Sequence, residues 1–187
     1  LSVFEFLLAL YAIVAGLGVS LLVRSVGQMI EARDRLRLYW VHCCWLALIF
    51  VAHVVSWFAL WRFAGHAPWT VLQALLLLLV PILLYLISHL AVPELDDECV
   101  HDMRDYYYRH VRWTQGLMLG VLAAGAAATQ VIEGRQDLSL PGVVRLSMVA
   151  VLVPGIFSRR PAVHAAQALL LVVAMIIAVS FVAAPIG

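Results

Sequence analysis

The chain has 187 residues, of which 65% are hydrophobic and only 12% charged, with a formal net charge of +1 and a mean hydropathy of +1.00. Soluble domains are roughly a quarter charged, so an ordinary water-soluble fold is excluded, and so small a net charge gives no reason to expect nucleic acid. The apolar runs are continuous rather than alternating, which rules against a β-barrel and leaves an all-α membrane bundle whose backbone bonds are satisfied within each helix.

Six stretches are long enough to span: Leu1–Val23, Leu38–Trp61, Trp69–Ala91, Trp113–Ile132, Ser139–Phe157 and Ala162–Ala184. Each supplies about 20 residues at ~1.5 Å apiece against a hydrocarbon core of ~30 Å. The first has no basic leader region and reads as a genuine span rather than a cleaved signal peptide. Turn residues separate the spans, at Gly65–Pro68, after Pro93, at Glu133–Arg135 and at Ser158–Pro161. Together they make a single transmembrane domain covering residues 1–187.

The basic residues are all arginines, and they are distributed unevenly. Arg24, Arg33, Arg35, Arg37, Arg104, Arg109, Arg112, Arg159 and Arg160 border one side of the spans, while Arg62, Arg135 and Arg145 belong to the other. The positive-inside rule then places the first side in the cytoplasm and both termini outside. Trp40, Trp61, Trp69, Trp113 and Tyr106–Tyr108 fall at the expected boundaries, where amphipathic rings are favoured. Arginine-only basic usage and abundant alanine suggest a GC-rich bacterium, and helical spans with an arginine bias favour its inner membrane as the setting.

Two helical extensions are expected on the cytoplasmic side. From Arg24 to Arg37, Val26, Met29, Ile30 and Leu36 recur at helical spacing among charges. From Asp96 to Arg112, Val100, Met103, Tyr107 and Val111 form a second stripe, with Asp96, Asp97 and Glu98 suited to the positive end of the helix. A faint internal echo links Arg37-x-x-x-Val41-His42, Arg109-His110-Val111 and Arg159-x-x-x-Val163-His164 at the starts of spans two, four and six.

Three constellations are candidates for function. The first is a polar layer near the outer face, formed by Glu5, His53, Gln73 and Arg145 with Thr129 and Gln130. Charges in lipid turn inward and seek partners, so Glu5 and Arg145 are expected to pair, either as a latch fixing helix register or as the lining of an outer vestibule. The second is a ring of histidines at the cytoplasmic boundary, His42, His110 and His164. These are weak candidates for zinc, haem or pigment ligation, because no HExxH, HxxxH or CxxCH motif accompanies them. His42 and His53 share a face of span two, where a single macrocycle ligand is conceivable. The third is a small-residue face on span four, Gly116, Gly120, Ala123, Ala124 and Ala127, suited to close helix packing within the chain or against another copy.

Pro81 and Pro154-Gly155 are candidate kinks. Cys43, Cys44 and Cys99 form no even framework and read as free thiols. There is no phosphate loop, nucleophile elbow, mid-membrane carboxylate, arginine ladder or selectivity filter. The expected function is a non-catalytic accessory subunit of a larger bacterial membrane complex, surrounded by lipid and associated with other subunits or copies of itself. The alternatives are a small oligomeric transporter or channel with an outer polar vestibule, and a haem- or metal-binding redox protein.

Overall fold

A computed structural model describes residues 2–93, 100–134 and 139–182. It contains six α-helices: α1 (Val3–Glu31), α2 (Trp40–Ala59), α3 (Val71–Ala91), α4 (Met103–Glu133), α5 (Leu140–Phe157) and α6 (Pro161–Val182). Five of them are long and apolar enough to cross a membrane, counting the short 3₁₀ turn that extends α2 to Phe63. α5 is equally apolar but shorter. The chain is thus a multi-pass helical membrane protein, with lipid as the solvent for its many exposed leucines, valines and isoleucines.

Sequence chemistry explains the helix ends. Ser2 caps α1 and Glu5 reaches back to its backbone, a reciprocal capping box. Thr70 and Gln73 repeat the arrangement at α3. α4 ends where Gly134 turns left-handed at φ +69°, a conformation costly for other residues. Pro81 and Pro154 lie inside α3 and α5, and both helices continue through them.

The arginine-bearing connections differ from expectation. α1 stops at Glu31, six residues short of Arg37, and a 3₁₀ turn over Arg33–Arg35 follows. Then comes β1 (Leu36–Arg37), which pairs in parallel with β2 (His101–Asp102). α4 starts at Met103, and Asp102 supplies the acidic cap, accepting from the amides of Arg104 and Asp105. The expected start at Asp96 lies outside the described residues, as do Asp97, Glu98 and Cys99; Cys43 and Cys44 are free and half-buried. The two-residue ladder ties the α1–α2 connection to the α3–α4 connection, so both lie at one end of the bundle, here called the arginine-rich end.

Around the bundle, α1 packs on α2 and α3, α3 on α4, α4 on α5, and α5 on α6, which returns to α2. α2 also touches α3 and α4, making it the most central helix. At the opposite end, Phe4 meets Trp61 and Trp69 at ring distances of 6.2 and 6.4 Å, drawing α1, α2 and α3 together. The small-residue face of α4 is split. Ala124 is buried and Gly120 faces Leu83 of α3, whereas Gly116 and Ala123 are exposed and Ala127 is half-buried.

Candidate functional site

The outer polar layer does not assemble as the sequence suggests. Glu5 is exposed, and its carboxylate accepts from the Ser2 backbone amide at 2.8 Å. The positive end of α1 attracts it more cheaply than burial would. α1 packs with α2 and α3 while Arg145 sits on α5, which packs with α4 and α6, so a Glu5–Arg145 pair joins no neighbouring helices. Arg145 is half-exposed and Gln130 exposed. Gln73 is buried, but its amide oxygen serves the α3 capping box, accepting from Thr70 N at 2.9 Å. The Thr129 hydroxyl bonds its own helix at Gly125 O. Arg62 and Glu133, among the described residues, form an ion pair at that end of the bundle, at 2.7 Å.

His53 lies deeper than expected. Its ring stands against Gly18, fifteen residues into α1 and so about 22 Å from that helix's start, counting ~1.5 Å per residue. The reason is directional. α2 begins at the arginine-rich end, and helical side chains lean toward the N-terminus of their helix, away from the opposite end of the bundle. His53 Nε2 donates to Ser88 Oγ at 3.0 Å, while the Ser88 hydroxyl donates to Leu84 O. α1, α2 and α3 therefore meet at one buried polar point.

A second such point, formed by residues the sequence reading passed over, joins α4, α5 and α6. Gln115 donates to Gln167 Oε1 at 2.7 Å, and Gln167 Nε2 donates to the Val151 and Leu152 carbonyls at 3.0 and 3.2 Å. Both amides lie against Gly155, whose missing side chain makes the room. Both were legible as polar residues within the first turns of spans four and six, a placement that favours a partner.

At the arginine-rich end the three histidines approach a common tyrosine cluster but do not form a metal triad. His164 is fully buried; its Nδ1 accepts from the Tyr107 hydroxyl at 3.0 Å and its Nε2 donates to Ser158 O at 2.9 Å. Both nitrogens are thereby used. His110 Nδ1 donates to Tyr106 O at 3.1 Å, leaving only Nε2 with a lone pair. His42 is buried and its Nε2 has no protein partner; nor has Trp45 Nε1 beside it. Both line a void of about 10 Å³, room for roughly one water and far below a macrocycle. Among the described residues no three histidine, cysteine or acidic side chains stand close enough to hold a metal ion. The zinc, haem and pigment readings therefore find no fitting donor set at His42, His110 and His164. At His53, Nε2 is engaged by Ser88 and Nδ1 has no partner, but the ring is sealed against Gly18 and lines neither of the cavities at the arginine-rich end.

The larger feature is a cavity of about 980 Å³ at the same end, between α1, the end of α3 and the start of α4. Arg24 and Gln28 line it from α1, His89 from α3, and Asp105, Arg109 and His110 from α4. Tyr106 forms part of the wall, its hydroxyl donating to the Leu90 and Val92 carbonyls that end α3. The volume suits a small organic ligand or a headgroup. No protein-family model, curated protein or solved structure matches this chain.

Proposed function

We propose that the chain is a non-catalytic subunit of a larger membrane assembly in a bacterial inner membrane. In this reading all six helices span, with both termini outside and the arginine-rich end in the cytoplasm, as the arginine bias requires. The observation that carries the proposal is that buried polar side chains are spent on one another between helices, at His53–Ser88, Gln115–Gln167 and Tyr107–His164. Each pair fixes the rotation and depth of two helices, which is what a scaffold needs. A solute path needs polar groups facing water, and the outer vestibule reading loses two of its members, since Glu5 caps its own helix and His53 is sealed against Gly18.

Gentle solubilisation from native membranes followed by mass measurement tests the assignment. The expected result is co-purification, at fixed stoichiometry, with other membrane subunits or further copies of the chain. A lone monomer would overturn it. Solute or ion flux through proteoliposomes of the pure chain would favour the transporter instead.

A further inference from the structure

His42 and Trp45 lie three residues apart on one face of α2, and the His42 ring meets Tyr106 and Tyr107 of α4 at 5.8 and 6.3 Å. The two side chains are 3 and 2% exposed. Neither His42 Nε2 nor Trp45 Nε1 has a hydrogen-bond partner among the described residues. A buried polar atom in that state has given up its bonds to bulk water and gained none in exchange. The Tyr107 hydroxyl stands near Trp45, but its proton goes to His164 Nδ1 at 3.0 Å and it makes no bond with the indole.

Both orphaned groups line the void of about 10 Å³, which α4 closes with Tyr106, His110 and Thr114. His110 adds a third nitrogen. Its Nδ1–H donates to Tyr106 O at 3.1 Å, so its Nε2 carries a lone pair. The Thr114 hydroxyl is committed to His110 O. The occupant of this void therefore has to accept from an indole N–H and donate to imidazole lone pairs, in a space that admits one small molecule. A metal ion could take the lone pairs but not the indole hydrogen. Water does both.

We infer that one water molecule is a fixed part of the fold here, accepting from Trp45 Nε1 and donating to His42 Nε2 and His110 Nε2. That is about three hydrogen bonds, the usual complement of a buried water. The water joins α2 to α4, and so links the helices gathered at His53 and Ser88 to those gathered at Gln115 and Gln167. Bonds routed through an ordered water hold nearly as well as direct ones. The same water sets the neutral rings of His42 and His110 in the Nδ1–H form. The site is independent of whether the chain serves as an accessory subunit.

The test uses the full chain purified in detergent micelles. A structure at a resolution that shows ordered water should carry one density peak about 3 Å from each of the three nitrogens. In nuclear magnetic resonance of the chain with isotope-labelled histidine and tryptophan, the Trp45 indole hydrogen should show a cross-peak to a long-lived water. His42 and His110 should both report the Nδ1–H tautomer in mildly alkaline buffer. Their Nε2 resonances should be shifted from the position of a free lone pair toward that of a hydrogen-bonded acceptor. One equivalent of zinc should leave the His42 resonances in place. The double variant H42F/H110F gives the water nothing to donate to and should abolish the Trp45 cross-peak; if it does not fold, the density and the wild-type tautomers decide. No density in the void, an Nε2–H tautomer at either histidine, a cross-peak that outlives H42F/H110F, or a stoichiometric zinc shift at His42 would each overturn the proposal.

Discussion

Replacing Gly18 with alanine puts a methyl group where the His53 imidazole already stands. A Cβ at position 18 would lie 2.5 Å from His53 Cε1, 2.6 Å from Nε2 and 3.4 Å from Ser88 Oγ. The ring has to move, yet it is 1% exposed and bonded to Ser88 at 3.0 Å. Overpacking of this kind costs about 1–3 kcal/mol, and an interhelical hydrogen bond in a membrane protein averages ~0.6 kcal/mol. Alanine returns up to ~1 kcal/mol through better helix propensity, so the net loss should be about 1–3 kcal/mol. Gly16, on the same helix, meets nothing within 4 Å; Gly16→Ala should collect only the propensity gain and be neutral or stabilising by up to ~1 kcal/mol. Equilibrium unfolding of both variants in mixed micelles measures the contrast, expected at about 2–3 kcal/mol. Equal stability of the two would refute the role given to Gly18.

Gly155→Ala should be at least as damaging. Its Cβ would meet Gln115 Oε1 at 2.5 Å and Gln167 Nε2 at 2.6 Å, parting two buried amides at a cost of about 2–4 kcal/mol in the same titration. Arg62→Ala should cost about 1 kcal/mol, because its bond to Glu133 is only partly shielded from water. Glu5→Gln should cost a few tenths, since glutamine also completes a capping box, and the reverse order would contradict the rim described above. Gly18→Ala and Gly155→Ala share no partner and should add to within ~0.5 kcal/mol. Gly18→Ala combined with His53→Ala should instead cost less than the sum, and strict additivity there would sever the two residues.

The bundle was legible because it rests on long apolar periods that no local contact overrides. Helix ends were also written in the chain: Ser2-x-x-Glu5 and Thr70-x-x-Gln73 are capping signatures. Reading Glu5 and Gln73 only as costly intramembrane groups hid that use. A count of residues from the span boundary misplaced His53, because it ignores the lean of helical side chains and the relative stagger of helices. The β1–β2 ladder gave no sequence signal, being only two residues long. The cavity was illegible for a different reason. Its lining comes from α1, α3, β2 and α4, and only helix neighbours and unequal helix lengths, which a linear pattern does not encode, bring those residues to one place.

The two buried junctions obey one physical rule. Lipid is as apolar as leucine, so apolar burial by itself gives helices little reason to choose one neighbour or one depth over another. In α1–α3 the choice falls to Gly18, His53 and Ser88, and in α4–α6 to Gly155, Gln115 and Gln167. In each, a glycine lets two helices approach, and a neutral polar side chain then has a single place where its hydrogen bond is met. Neutral groups suit this task better than charges, whose removal from water costs more than a pair returns. The arginines and aspartates are accordingly left at the bundle's ends, where Arg24, Arg109 and Asp105 line the cavity instead of holding helices together. Helix register, held by buried neutral groups, and charge at the bundle's ends are thus separate tasks in this chain. Substitutions at the cavity should therefore alter what binds there while the fold persists.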